Sequence, residues 1–371
     1  MKRRHSTSMA CLALALSGYA HMASAQVKVG YVGPLTGSNA AFGAQLQNGF
    51  EQALADINAH GGVNGKKLEG IILDDACDPK QAVTAANQMV TDGVVMVDGH
   101  FCSAATIPAS KVYTENGILQ IAPSSTAPQY TDGGSWNTFR VCGRDDAQGK
   151  FAASYIAKHF KTDKIAVIDD NSTYGKGIAD QVRINLKKDG VPVTFTSSYT
   201  AGEKDYAALI SRLKLQNIDL VYIGGYYSDA ALMMREAVAQ GFHPQWFSES
   251  AMATKLLWQI AGPAAEGMLI TFPPPADKTP QAANVVKELE AKNQDPSGYT
   301  LYAYAALQVW AEAANKAHST KPQIVARELK SGGLWNTVLG SFRFNKIGDI
   351  VPVNYAIYRW HDGDYSVDTT P

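Results

Sequence analysis

The chain has 371 residues, of which 46% are apolar and 18% are charged. This apolar fraction excludes an intrinsically disordered chain, and the length predicts two or three domains. The 33 Lys and Arg residues and 34 Asp and Glu residues give a net charge of −1, which excludes an extended basic surface for nucleic acid.

The N-terminus follows the pattern of a secretory signal peptide, residues 1–25. Three cations at positions 2–4 precede an apolar run at residues 9–16, and residues 23–25 (ASA) offer the small side chains that a signal peptidase reads. The run is too short to span a bilayer about 30 Å thick. We therefore expect an exported, soluble protein that begins at Gln26 and carries 30 cations against 34 anions, a net charge of −4.

Three cysteines remain after this cleavage: Cys77, Cys102 and Cys142. An oxidising compartment favours one disulfide and one spare thiol. Cys77 and Cys102 each follow the end of a predicted strand, and the loop between them is short enough to close locally. The six histidines after residue 25 are scattered along the sequence, so a metal site is disfavoured, and no cofactor is expected.

The predicted elements alternate between strand and helix. In the first series, strands are predicted at residues 27–32, 68–73, 94–97 and 118–121, and helices at 42–57, 79–90 and 108–115. In the second series, strands are predicted at 164–168, 191–195 and 220–223, and helices at 178–186, 206–215 and 230–239. Helical segments at 279–293, 299–317 and 322–330 follow, and then a β-rich tail around 341–344 and 352–360.

Such alternation predicts an α/β fold with parallel sheets covered by helices on both faces. Two series in succession predict two doubly wound, Rossmann-like lobes, and the three prolines after Phe272 indicate an ordered crossover between them. Because ligands bind at the carboxyl ends of strands in open α/β sheets, four loops are candidates for a site. They are residues 34–42, 98–103, 122–126 and 224–228.

These loops and their surroundings carry polar and aromatic side chains that suit a small charged ligand. Ser103 stands at a strand-to-helix junction, where its hydroxyl either caps the helix or holds an anion such as a carboxylate. The other candidates are the hydroxyls of Ser124, Ser125 and Thr126, the rim tyrosines Tyr226 and Tyr227, and Glu249 as the partner of an ammonium group.

Enzyme motifs are absent from the sequence. There is no G-x-S-x-G, H-E-x-x-H or P-loop motif, and no G-x-G-x-x-G follows the first predicted strand. The adjacent carboxylates Asp74 and Asp75 point to opposite faces of their strand, which is poor geometry for sharing a proton. A binding protein is therefore favoured over an enzyme.

Several strings resemble the periplasmic leucine/isoleucine/valine-binding proteins of ABC importers. They are residues 74–82 (DDACDPKQA), 99–103 (GHFCS), 200–205 (TAGEKD), 224–226 (GGY) and 261–267 (AGPAAEG), and the match runs over nearly the whole mature chain. The resemblance implies a type I periplasmic binding protein fold, in which three crossovers join two lobes that close on an amino acid. It also implies a Cys77–Cys102 disulfide and, as lobes, residues 26–144 with 274–349 and residues 145–273 with 350–371.

The resemblance also implies roles for individual residues. Ser103 and Thr126 match carboxylate ligands, helped by the Tyr226 hydroxyl, and Ser124 matches a position whose backbone carbonyl accepts from the ammonium group. Phe42 and Tyr174 match aromatic walls.

One departure concerns the ammonium end of the ligand. The acidic ammonium ligand of the family falls at Ser250 in an ungapped reading, with Glu249 one residue earlier. Either Glu249 serves as the ammonium ligand, or the site lacks that carboxylate. In the second case the ligand is an amide or another small carboxylate, such as an aromatic acid. The pattern around Tyr299 and Tyr302 is one residue short, so no role is assigned there.

The function expected from these observations is that of a monomeric periplasmic protein. It binds a branched-chain or similar aliphatic amino acid between its lobes, closes about a hinge, and presents the ligand to a membrane permease. The alternatives are the same fold with a different small acid or amide as ligand, and an exported α/β enzyme.

Overall fold

A computed structural model describes residues 26–369 of the chain. The signal peptide predicted for residues 1–25 lies outside the described residues, as do the last two residues. Between residues 26 and 369, no helix combines the length and the hydropathy needed to cross a membrane.

The described chain alternates strands and helices from its first strand onward. The strands are β1 (Val27–Gly33), β2 (Leu68–Asp74), β3 (Met96–Gly99), β4 (Leu119–Ala122), β5 (Thr138–Arg140), β6 (Ile165–Asp169), β7 (Val193–Ser198), β8 (Leu220–Gly224), β9 (Gln245–Ser248), β10 (Leu269–Phe272), β11 (Trp335–Thr337), β12 (Gly340–Phe344), β13 (Ile350–Val351), β14 (Ala356–His361) and β15 (Asp364–Val367). The helices are α1 (Ala40–Ala59), α2 (Pro79–Asp92), α3 (Ser103–Glu115), α4 (Gln129–Asp132), α5 (Asp145–His159), α6 (Thr173–Lys188), α7 (Ala207–Leu215), α8 (Tyr227–Ala239), α9 (Leu256–Ala261), α10 (Ala283–Ala291), α11 (Thr300–Lys316) and α12 (Pro322–Leu329).

Two larger sheets organise these elements. The first has the order β2-β1-β3-β4-β5 and is parallel throughout. The second has the order β15-β14-β10-β9-β8-β6-β7, in which β6 to β10 are parallel and β14 and β15 are antiparallel. The predicted α/β class with two parallel sheets is confirmed.

The chain passes between these two sheets three times within the described residues. It leaves the first sheet after β5 and returns after β10 to place α11 against α1. Strands β11, β12 and β13 then form a separate small sheet, and the chain enters the second sheet again after β13. On its return, α11 packs along α1 so closely that a Cβ on Gly49 would lie 1.9 Å from the carbonyl oxygen of Thr300. The last hairpin, β14–β15, extends the edge of the second sheet.

Some predicted boundaries are wrong. Helix α3 begins at Ser103 rather than at residue 108. Pro108 lies inside this helix instead of at its start, and it removes one backbone hydrogen bond without ending the helix. The third and seventh strands lie two residues later than predicted at their N-terminal ends. Strands β5, β9 and β10 were not predicted at all.

Candidate functional site

The candidate site lies where the strand order of each large sheet reverses. In the first sheet β1 lies between β2 and β3, and in the second β6 lies between β7 and β8. The loops after such strands diverge to opposite faces of the sheet and leave a crevice between them. The two crevices face each other, because the Tyr227 hydroxyl at the start of α8 donates a hydrogen bond to the carbonyl oxygen of Ser38 in the loop after β1 (2.8 Å).

A small, narrow cavity lies between the two sets of loops, with about 10 Å³ of space open to a water-sized molecule. Four of the residues that line it were predicted from the sequence: Ser103, Ser124, Tyr174 and Tyr226. The other three are Phe101, Ala251 and Tyr299. The cavity therefore combines hydroxyl groups from the first set of loops with aromatic rings from both.

Ser103 connects two of the predicted loops. It is the first residue of α3 and makes no capping hydrogen bond, so the capping role considered for it is wrong. Its Oγ instead accepts hydrogen bonds from the Ser125 hydroxyl (3.2 Å) and from the backbone N–H of Ala127 (3.3 Å). The hydroxyl of Ser124, by contrast, has no hydrogen-bond partner among residues 26–369.

Glu249 provides a buried carboxyl group on the opposite side. Its side chain is fully buried and accepts hydrogen bonds from the Tyr174 hydroxyl, from the N–H of Ala251 (3.0 Å) and from the N–H of Gly225 (3.5 Å). Burial raises the pKa of Glu249 to about 8, although these donors act in the opposite direction. Ser250 is buried too, and its Oγ lies 3.5 Å from the Tyr174 hydroxyl oxygen.

Asp145, at the start of α5, is a second buried carboxyl group that was not predicted. Its N–H donates to the carbonyl oxygen of Thr126 (3.0 Å), and burial raises the pKa of its carboxyl group to about 7. The Thr126 hydroxyl lies close enough to lower that pKa. However, neither this hydroxyl nor the Asp145 carboxyl makes a hydrogen bond of standard geometry with any other described residue. The charge of Asp145 also contributes to the raised pKa of Glu249.

Aromatic rings enclose the polar groups. Tyr174 and Tyr226 lie together with their ring centroids 5.3 Å apart. Tyr299, for which no role was assigned, lies edge-on to Phe101 with centroids 5.9 Å apart. Phe42 is not among the residues that line the cavity; it stacks on Phe101 at 4.6 Å and supports it from behind.

A buried polar cluster supports the loop that carries Phe101 and Ser103. His100 Nδ1 lies 2.6 Å from the Asp75 carboxylate, and its Nε2 lies 3.0 Å from the Tyr113 hydroxyl. Beside this cluster, the sulfur atoms of Cys77 and Cys102 lie at bonding distance, and their Cα atoms are 5.4 Å apart. Cys142 is a buried free cysteine, and burial raises the pKa of its thiol to about 12.

One group of metal-ligating side chains occurs in the part of the chain that the structure describes. It consists of exposed Glu266, His361 and Asp362. His361 Nδ1 lies 2.7 Å from Glu266, and its Nε2 lies 3.4 Å from Asp362. Because the two ring nitrogens face different carboxylates, this arrangement is that of a surface ion-pair network.

Two parallel α/β lobes that enclose a polar and aromatic cavity between their switch points define a bilobed solute-binding protein. Residues 26–364 match the model of the family described as "Periplasmic binding protein", and the chain belongs to this family. The resemblance found in the sequence strings is thereby confirmed.

Named relatives agree with this assignment. The chain is 46% identical to Leu/Ile/Val-binding protein homolog 1 of Brucella suis over 349 residues, which cover 94% of each chain. It is 43% identical to the Leu/Ile/Val/Thr-binding protein of Salmonella typhimurium over 360 residues, which cover 96% of this chain and 97% of the relative. It is also similar to the branched-chain amino acid transporter substrate-binding protein of Streptococcus pneumoniae, solved in complex with isoleucine. That comparison has a TM-score of 0.85 at 25% identity and covers 92% of this chain and 98% of the other.

Proposed function

We propose that this protein is the solute-binding component of an ABC importer and that it binds a branched-chain or similar aliphatic amino acid. The observation that carries the proposal is the chemistry of the cavity walls. Hydroxyl groups and the N-terminus of α3 lie on one side. On the other side, the buried Glu249 carboxyl group lies directly behind the lining residues Tyr174 and Ala251, which both donate hydrogen bonds to it. A zwitterion offers the matching charges, and burying it is favourable only if each charge is paired.

The carboxylate of the ligand would bind to the hydroxyl side. Ser103, Ser124 and Thr126 are buried there, and the Ser124 hydroxyl, which lines the cavity, has no partner in the described chain and is free to donate to a ligand. The free N–H groups of the first turn of α3 add a favourable potential for an anion. Tyr226, from the second lobe, would complete the carboxylate site, while Ser125 would hold Ser103 in place.

The ammonium group of the ligand would bind to Glu249, with the backbone carbonyl of Ser124 as a second acceptor. Glu249 suits this role better than Ser250 because its carboxyl group is buried and already held by Tyr174 and two backbone N–H groups. A buried carboxyl group without a counter-ion has a raised pKa, and a bound cation would restore its charge. Asp145 would add a second negative charge nearby.

The aliphatic side chain would lie among the aromatic rings of Phe101, Tyr174 and Tyr299. Each buried methylene contributes about 0.8 kcal/mol, so such a pocket separates leucine, isoleucine and valine only modestly. A narrow set of aliphatic ligands is therefore expected rather than a single one.

Closure of the lobes would couple binding to recognition by a permease. We assign residues 26–144 with 274–349 to the first lobe and residues 145–273 with 350–371 to the second. Across this division, the structure has the Tyr227–Ser38 hydrogen bond and an ion pair between Lys255 Nζ and Asp295 Oδ2 (3.3 Å). Contacts of this kind exist only when the lobes meet, so a ligand that bridges both walls shifts the population toward the closed form.

The family assignment supports a periplasmic location. In that compartment we expect a monomer with a Cys77–Cys102 disulfide, a cleaved signal peptide and no catalytic activity.

Calorimetric titration of the protein after removal of co-purified ligand tests the proposal. The panel is leucine, isoleucine, valine, threonine and alanine, together with benzoate, leucinamide and 4-methylpentanoate. Binding of the aliphatic amino acids, and markedly weaker binding of the two leucine analogues that lack one charge, is expected. Heat with benzoate and none with any amino acid would replace the proposed ligand by an aromatic acid. Chemical turnover of a bound ligand would favour an enzyme.

A further inference from the structure

The loop of residues 124–127 is fixed from behind by one fully buried arginine. Arg140, the last residue of β5, donates through Nη1 to the carbonyl oxygen of Ser125 (2.8 Å) and through Nη2 to that of Ala127 (2.9 Å). Sequence reasoning missed this residue, because nothing in its neighbourhood marks it as buried.

The same guanidinium group is anchored to Asp349, just before β13 and the third crossover between the lobes. Its Nε lies 2.7 Å from Asp349 Oδ1, and its Nη2 also donates to the Thr131 hydroxyl (2.8 Å). Thr131 in turn donates to Asp349 Oδ1 (2.8 Å). Asp349 is shared with Arg144, whose Nη1 lies 3.1 Å from Oδ2 and which immediately precedes α5.

These contacts determine which groups of the loop remain free. The carbonyls of Ser125 and Ala127 are engaged by Arg140, and the Ser125 hydroxyl is engaged by Ser103. The hydroxyls of Ser124 and Thr126 are the ones without a hydrogen-bond partner in the described chain. A planar guanidinium group can donate to two carbonyls from two different nitrogens, whereas the ammonium group of lysine has a single nitrogen.

We infer that Arg140 is a positioning residue for the carboxylate site. It holds the loop of residues 124–127 so that the free Ser124 hydroxyl faces the cavity, and through Asp349 it ties that loop to the segment that leads into β13 and the third crossover. The inference rests on the proposed function for its ligand, but its prediction for the loop in the ligand-free protein does not depend on any ligand.

Two variants test it. Arg140→Lys keeps the positive charge but loses the two guanidinium nitrogens that donate to the loop carbonyls. Asp349→Asn keeps the size of the side chain that pairs with Arg140 but removes its negative charge. Arg183→Lys is the matched control, because Arg183 also binds a carbonyl (Val167, 3.1 Å) and a carboxylate (Asp169, 2.6 Å), but within the second lobe.

The first measurement is hydrogen–deuterium exchange of the ligand-free proteins. In Arg140→Lys we expect faster exchange in peptides that cover residues 124–131, and in Asp349→Asn a smaller change in the same direction. The Arg183→Lys protein should exchange there like the wild type.

The second measurement is the ratio of the dissociation constants for leucinamide and leucine. Leucinamide lacks the carboxylate, so a displaced loop weakens leucine binding selectively, and the ratio should fall about tenfold in Arg140→Lys. A residue that only stabilises the lobe would lower the melting temperature and leave the ratio unchanged.

The outcomes separate the two proposals. If the wild type binds no amino acid, the proposed function fails, and the exchange measurement alone decides the role of Arg140. If the wild type binds leucine but Arg140→Lys matches it in exchange and in the ratio, the positioning role is overturned. If Arg140→Lys does not fold, Asp349→Asn carries the same test with the same outcomes.

Discussion

The buried carboxyl group of Glu249 makes the affinity for an amino acid depend on pH. In the ligand-free arrangement its pKa is about 8, so at pH 7 about nine tenths of the molecules carry a proton there. An ammonium group binds favourably only to the ionised form, so binding at pH 7 costs about 1.4 kcal/mol for removal of that proton. A bound cation lowers the pKa, protons are released on binding, and affinity therefore rises with pH.

The expected profile has a simple shape. The dissociation constant for leucine should fall about tenfold between pH 6 and pH 7 and more gently above pH 8, where more than half of the Glu249 groups are already ionised. Glu249→Gln should lose that dependence and bind leucine about thirtyfold or more weakly, because the ammonium group loses a buried charged partner.

Isothermal titration in two buffers with different ionisation enthalpies measures both the affinity and the number of protons released. Asp145→Asn serves as the comparison, because the pKa of Asp145 is about 7 and its carboxyl group is the other buried acid of the site. If Glu249 is its source, the dependence should persist in Asp145→Asn but shift to lower pH, because the charge of Asp145 contributes to the raised pKa of Glu249. A wild-type affinity that is flat from pH 6 to pH 8, with no proton release, would refute the assignment of Glu249 as the ammonium partner.

Three further predictions concern stability and closure. Replacing Cys77 and Cys102 by serine should lower the free energy of unfolding by about 3–4 kcal/mol, because their separation of 25 residues sets the entropy of loop closure in the unfolded chain. If this variant unfolds in urea at the same concentration as the wild type under oxidising conditions, the disulfide is contradicted. Gly49→Ala should cost about 2 kcal/mol or more in the same assay, since its Cβ meets the backbone of α11, and an unchanged midpoint would show that the helices separate easily. Tyr227→Phe removes the hydrogen bond to Ser38 across the lobes and should weaken leucine binding about fivefold, with Tyr155→Phe as a control outside the cavity. Equal affinities of Tyr227→Phe and the wild type would show that this contact does not stabilise the closed form.

The sequence was sufficient for the fold wherever an element carries a long apolar pattern. Strand β1 and helix α1 are examples, because a buried parallel strand is a continuous apolar run and a helix on its face repeats its apolar positions at helical spacing. Strand β5 has only three residues, and one of them is Arg140. A segment that short becomes a strand because β4 pairs with it, and no local pattern contains that information.

The candidate site divides in the same way. Ser103 and Ser124 could be predicted because they follow predicted strands, and the rule that ligands bind at the carboxyl ends of strands needs only the strand positions. Tyr299 lies just before α11, a helix that reaches the cavity only after the chain has crossed back from the second sheet. Its place in the cavity wall depends on that return, which spacing along the sequence does not specify.

Buried charged residues are the features of this site that are hardest to predict from the sequence. Arg140 and Asp145 look like ordinary surface residues in the sequence, since charged side chains are almost never fully buried unless they are paired. Burying Arg140 is tolerable because Asp349, more than two hundred residues later, lies against its Nε and two loop carbonyls accept from the same guanidinium group. Asp145 makes no ion pair within residues 26–369, and the Thr126 hydroxyl and the charges of Arg140 and Arg144 offset its burial only in part, so its pKa stays raised. Such buried carboxyl groups become visible only once the packing of both lobes is known, because their burial depends on residues that are distant in the sequence.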